Sequence, residues 1–171
     1  MTQENKVRYA FAVVTMSDKG ARGEREDTSG AYLQERLAQE GFELQSYKVI
    51  PDQKQVIIDH LKMLADTMSI PLIVTTGGTG VSPTDVTPEA MSEILDQELP
   101  GMAEAMRSAS LLKTSRAMLS RGKAGIRKTS LIINMPGSLK AVKENLDVVL
   151  PVLRHALEKI GGETSDCGVG E

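Results

Sequence analysis

Residues 72–90, LIVTTGGTGVSPTDVTPEA, constrain the fold more than any other part of the chain. Leu72, Ile73, Val74, Thr75 and Thr76 are apolar or β-branched, the composition of a strand covered on both faces. Gly77-Gly78-Thr79-Gly80 follows. Three glycines in four residues let a backbone turn sharply and come close to a ligand. Thr87-Pro88-Glu89 then opens a helix, with Thr87 as the N-cap candidate and Pro88 suited to the first helical position. Strand, glycine loop, polar segment and helix form the order in which α/β proteins cradle phosphate. Loop N–H groups face the anion, and a helix N-terminus adds partial positive charge.

Two common phosphate templates do not fit. The P-loop requires Gly-Lys-Ser/Thr, whereas Gly80 precedes Val81; the dinucleotide pattern fails because Gly78-Thr79-Gly80 leads on to Pro83. By spacing alone the segment is either a glycine-rich anion loop of unassigned type or a tight turn that only connects two elements. Asp85 bears on that choice. A carboxylate five residues past a phosphate cradle repels phosphate unless a divalent cation sits between them, and Mg²⁺ binds through one or two carboxylates plus substrate phosphates. The other reading of Asp85 is a solvated loop acid or a cap.

The remaining chain alternates strand and helix patterns. A strand is predicted over residues 7–15, then a charged loop with two glycines over 17–27, which either carries ligand groups or is simply solvated. A helix follows to about Gln39, then a less buried strand over 42–50. Ile57, Leu61, Leu64 and Met68 fall on one stripe of a helix over 53–68. His60, beside that stripe, and His155 read as surface or packed residues rather than ligands. Beyond Thr87 the pattern is helical to about Leu112, broken at Leu99-Pro100-Gly101. Residues 120–128 carry four cations in nine and read as an anion-binding segment or a solvated hairpin. A buried strand over 129–135 and a helix over 139–160 complete the pattern, with Pro151 expected to kink that helix or divide it in two. The fold class is therefore α/β: a three-layer α/β/α arrangement, its sheet mostly parallel with helices on both faces. Residues 1–160 are expected to form one domain, and 161–171, which lack periodicity, are expected to be a flexible tail.

The polar loops after Thr15, Thr76 and Met135 open on one sheet edge if their strands are parallel. They propose a single crevice with glycines, carboxylates, hydroxyls and a basic loop. No Cys/His set has zinc-ligand spacing, and neither His is near a nucleophile motif. Phosphoryl and nucleotidyl transfer suit what remains, because they need positioning, a metal and donors rather than a protein nucleophile. A net charge of −3 with only 3% aromatic residues argues against nucleic acid as a partner. No apolar run approaches the ~20 residues that span a bilayer, and MTQENKVR lacks the apolar region of a signal peptide. The expectation is a cytoplasmic protein with Cys167 as an incidental thiol.

TTGGTG followed by PTDVTPEA, with LIINMPGS further along, closely resembles the MogA/MoaB family, the molybdopterin adenylyltransferases related to the G domain of gephyrin. The resemblance runs from about Lys6 to Ile160. It implies transfer of AMP from Mg-ATP to the terminal phosphate of molybdopterin, with release of pyrophosphate. Matched motif by motif, Gly77, Gly78, Thr79 and Gly80 would cradle nucleotide phosphates, and Asp85 and Asp52 would be the catalytic acids, acting through Mg²⁺. Asp18 would lie in the same crevice. Ser120, Arg121, Gly125, Ile126 and Arg127 would line the phosphate side, with Asn134, Pro136, Gly137 and Ser138 completing it. The family resemblance also implies a homotrimer, and it leaves open a direct hand-over to a molybdenum-inserting partner enzyme. The alternative within the superfamily is a molybdopterin-binding paralogue without transferase activity. The coexistence of Asp52, Asp85 and the glycine loop favours the enzyme. A generic nucleotide-binding protein is the third reading.

Overall fold

A computed structural model describes residues 8–162. Its sheet is built around β1 (Ala10–Met16), β3 (Leu72–Thr76) and β6 (Ser130–Met135), parallel neighbours in which nearly every residue is buried. Side chains alternate across a strand, and here both faces meet helices. Phe11, Val13, Leu72, Val74, Leu131 and Ile133 pack against Leu33 and Leu37 of α2 (Thr28–Gln39), Met106 of α5 (Pro100–Leu111), and Val142, Leu146 and Leu153 of α6 (Leu139–Ile160). Ala12, Val14, Ile73 and Ile132 face the other way, against Ile57 and Leu61 of α3 (Lys54–Lys62) and Ala90, Met91 and Ile94 of α4 (Thr87–Ile94). The register Phe11–Leu72–Leu131 keeps equivalent parities on the same face of the sheet. The three-layer α/β/α reading holds.

Three further strands extend the sheet to six. β2 (Glu43–Ile50) pairs parallel with β1 at one edge, while β5 (Ala124–Arg127) and β4 (Gln97–Glu98) add antiparallel pairings beyond β6, for the order β2-β1-β3-β6-β5-β4. β2 is mostly exposed, as its weak apolar pattern suggested.

Local differences from the sequence reading have physical causes. The charged loop after β1 contains one short helix, α1 (Asp18–Ala21), capped by Ser17. The helix over 53–68 is α-helical only to Lys62 and becomes π-helical over Met63–Thr67. The wider turn advances the stripe by less per residue, so Ile57, Leu61 and Leu64 are fully buried while Met68 is 37% exposed. The break after Thr87 comes earlier than expected, at Leu95, where the chain forms β4 before Pro100 starts α5. Thr87 is not the cap. Val86 takes that position, and the Thr87 hydroxyl instead donates to the Gly77 carbonyl. Within the basic segment Ala124–Arg127 form β5, a hairpin arm paired with β6, while residues 120–123 have no regular structure. α6 runs as one helix through Pro151, so the two-helix alternative is overturned. His60 is buried, and its Nε2 has no hydrogen-bond partner among the described residues. Burial, and then Lys48, hold it below its ordinary pKa. The tail and Cys167 lie outside the described residues, except for the turn at Gly161 and Gly162.

Candidate active site

The parallel pairing of β1, β3 and β6 brings the segments after Met16, Thr76 and Met135 to one edge. They are tied to each other there. The Gly77 N–H donates to the Met135 carbonyl at 3.0 Å, the Thr76 hydroxyl to the Pro136 carbonyl at 2.7 Å, and the Ser29 hydroxyl to the Gly137 carbonyl at 2.9 Å. Gly77 and Gly78 have φ of 98° and 66°, a backbone that residues with a Cβ rarely adopt. Space demands glycine as well: a Cβ on Gly77 would sit 2.3 Å from the Met16 carbonyl oxygen, and one on Gly78 2.3 Å from the Thr87 hydroxyl.

All four carbonyls of the glycine loop are engaged by protein donors. Gly77 O accepts from the Thr87 hydroxyl and Gly78 O from the Thr87 N–H; Thr79 O accepts from the Arg121 N–H and Gly80 O from Arg121 Nε. In a planar trans peptide the following N–H points opposite to the carbonyl, and the described chain has no cis bond. The N–H groups of Gly78, Thr79, Gly80 and Val81 are therefore directed away from Thr87 and Arg121. Their carbonyls being engaged by the protein, these N–H groups are the loop's donors for an anion.

Two cavities meet at this loop. The larger, about 580 Å³, is lined by Gly78, Thr79, Gly80, Ser120 and Pro136 together with Arg107, Lys113, Arg116 and Lys140. The smaller, about 320 Å³, is lined by Gly77, Asp52, Asp27, Glu26 and Thr15. Gly78, Asp85, Gly137 and Ser138 line both. One lobe is therefore cation-rich, the other is carboxylate-rich, and Asp85 stands at their junction.

Asp18 and Asp52 are linked reciprocally. The Asp18 N–H donates to Asp52 Oδ2 and the Asp52 N–H to Asp18 Oδ1, both at 3.0 Å. Burial pushes the Asp52 carboxyl above its ordinary value. The Asp18 N–H opposes that shift, and the charges of Asp18 and Asp85 add to it. A carboxyl raised in the folded state favours folding fully only below the ordinary carboxylate range, and that contribution is lost as pH rises through the folded value. Asp52→Asn is thus expected to melt higher than wild type at neutral pH, with the advantage vanishing in acid. Thermal melts across that range check this; a lower melting temperature at neutral pH would contradict it. Asp85 Oδ2 accepts from the Ser82 N–H at 2.8 Å, which closes a turn over residues 82–85.

Other residues singled out in the sequence are structural or lie elsewhere. Asn134 is buried; its amide donates to the Thr75 hydroxyl at 2.9 Å and its carbonyl oxygen accepts from the Lys123 N–H. Gly125 packs its Cα face on the Gln97 carbonyl, where a Cβ would sit at 2.4 Å. Ile126 pairs with Gln97 and Leu131. Arg127 binds Asp66 and the Ile94 carbonyl. The fold therefore does not bring Gly125, Ile126 and Arg127 into the crevice. Ser138 both lines it and caps α6, accepting from the Ala141 N–H at 3.3 Å. The sequence reading missed Arg107, Lys113, Arg116 and Lys140. Lys140 carried a signal: a cation in the first turn of a helix opposes the macrodipole, which makes an anion nearby the natural compensation.

Residues 12–155 match the family described as probable molybdopterin binding domain. The structure superposes with a TM-score of 0.85 on the molybdopterin biosynthesis enzyme MoaB of Thermus thermophilus, at 48% identity, covering 91% of this chain and 98% of that one. A molybdopterin adenylyltransferase of Helicobacter pylori J99 is 39% identical over 155 residues, 89% of this chain and 88% of the relative. The molybdenum cofactor synthesis protein cinnamon of Drosophila melanogaster is 38% identical over 91% of this chain, which spans only 26% of that longer protein.

Proposed function

The chain belongs to the family of probable molybdopterin binding domains, and on that premise we propose that it is a molybdopterin adenylyltransferase that moves AMP from Mg-ATP to molybdopterin. The observation that carries the reading is the junction of the two lobes, where Asp85 and the glycine-loop N–H groups stand between a cationic and an acidic cavity. An oxygen of the molybdopterin phosphate attacks the α-phosphorus of ATP. The bond from that phosphorus to the bridging β oxygen breaks, and pyrophosphate leaves with the electron pair. The protein supplies no nucleophile. The loop N–H groups and Arg107, Arg116 and Lys140 bind phosphate oxygens, and the backbone ties around Gly77 and Gly137 hold both substrates in register.

The carboxylates fit Mg²⁺ carried in with phosphate. Because Gly78 and Gly80 lack side chains, the Asp52 and Asp85 carboxylates come close to the glycine loop; a Cβ on Gly78 would lie 3.3 Å from Asp52 Oδ1 and one on Gly80 2.7 Å from Asp85 Oδ2. An ion of this kind is held by one or two carboxylates plus substrate phosphates, with Asp52 and Asp85 in the carboxylate role. Bound there, Mg²⁺ would neutralise phosphate charge as pyrophosphate departs. Asp18 holds the Asp52 backbone and side chain in place.

The reading includes a cytoplasmic homotrimer. Exposed Leu112, Met118 and Leu119 supply apolar surface on which subunits can meet, and no helix among the described residues is long and apolar enough to cross a membrane. The test is incubation of the purified protein with Mg-ATP and molybdopterin, following product by mass spectrometry. Adenylylated molybdopterin is expected. Molybdopterin binding without product, in folded protein, would favour a binding module without transferase activity.

A further inference from the structure

The basic segment suggested Arg121 as a ligand for phosphate. Its bonds say otherwise. Three guanidinium nitrogens are engaged by the protein: Nε donates to the Gly80 carbonyl at 2.7 Å, Nη2 to the Asp85 carbonyl at 2.7 Å, and Nη1 to the Glu89 carboxylate. The Arg121 N–H adds a fourth bond, to the Thr79 carbonyl at 2.8 Å. All four acceptors lie on one stretch, from the glycine loop through the Asp85 turn into the first turn of α4. A planar fork with fixed donors can span such a set, whereas an ammonium cannot. Glu89 anchors the fork from α4, and the guanidinium holds the Glu89 carboxyl below its ordinary pKa. The Asp85 contact is to the backbone, so its carboxylate stays available to the crevice.

We propose that Arg121 is a positioning residue, which with Glu89 latches the Thr79–Asp85 loop so that the glycine-loop N–H groups and the Asp85 carboxylate keep one geometry. The role in turnover rests on the adenylyltransferase reading; the latch itself does not. A direct phosphate ligand would chiefly set substrate affinity. A latch sets how often Asp85 and the cradle are correctly aligned, so its loss falls on kcat.

The experiment compares wild type, Arg121→Lys and Glu89→Gln by steady-state kinetics in ATP and by hydrogen exchange of the Ser82, Thr84 and Asp85 amides, which are bonded within the loop. Arg121→Lys is expected to lower kcat about tenfold with KM for ATP within about twofold, and to speed exchange across those amides. Glu89→Gln, which keeps an acceptor but loses the charge, should shift both readouts the same way by less. An Arg121→Lys variant with raised KM, preserved kcat and unchanged exchange would overturn the latch. So would Glu89→Gln with wild-type exchange, which decides the matter if the arginine variant fails to fold. Absence of product from wild type would sink the adenylyltransferase reading alone, since exchange still reports on the latch.

Discussion

Asp85→Asn is expected to fold as wild type does and to lose at least about tenfold in adenylyl transfer, the scale of removing one electrostatic group from a reaction centre. The geometry separates its structural from its chemical role. The side-chain bond that Asp85 makes within the protein is acceptance from the Ser82 N–H through Oδ2, and an asparagine carbonyl can accept the same bond. The Arg121 contact is to the Asp85 carbonyl and is untouched by the change. What is lost is the negative charge where the two lobes join. Circular dichroism and melting temperature should stay close to wild type while kcat falls. Near-normal turnover would remove Asp85 from the mechanism.

The second large effect is on stability. Gly77→Ala is expected to cost about 2–5 kcal/mol, combining a strained positive-φ residue with overpacking. At φ 98° the new Cβ would sit 2.3 Å from the Met16 carbonyl oxygen. That atom belongs to the end of β1 and cannot rotate away as a side chain would. Gly77 also holds the crevice together, donating to Met135 O and accepting from Thr87 Oγ1. Moving it loosens three segments at once. Gly23 is the control. Its φ is 73°, with nothing within 4 Å of a built Cβ, so Gly23→Ala should cost only about 1–2 kcal/mol from backbone conformation. Urea unfolding of both variants checks the contrast, and equal losses would contradict the clash.

The layers of the fold were legible because periodicity reports burial. The apolar runs in β1, β3 and β6 indicated strands covered on both faces, and the spacing of Val142, Leu146 and Leu153 marked the face that α6 turns to them. The glycine loop was legible because few other sequences satisfy two successive positive φ values. Short or compensated features were not. β4 is two residues long and has no period to read. The π turn at Met63–Thr67 shifts phase without any compositional mark, which misplaced Met68. The basic segment drew attention by charge alone, but charge cannot say what a cation faces: Arg121 turns onto its own loop and Arg127 onto Asp66. The cations of the larger lobe come from α5, the turn that follows it at Lys113, the 3₁₀ turn Ser115–Leu119 and the start of α6. They share no local motif and meet only through packing.

In the reaction proposed, this crevice transfers the α-phosphoryl of ATP, as AMP, to a pterin phosphate. The most direct test supplies ATP labelled at either the α- or the γ-phosphorus, together with Mg²⁺ and molybdopterin, and follows each label. Transfer of the α label to the pterin product, with the γ label released in pyrophosphate, is the predicted result. Retention of both labels in ATP, or arrival of the γ label on the pterin, would contradict it.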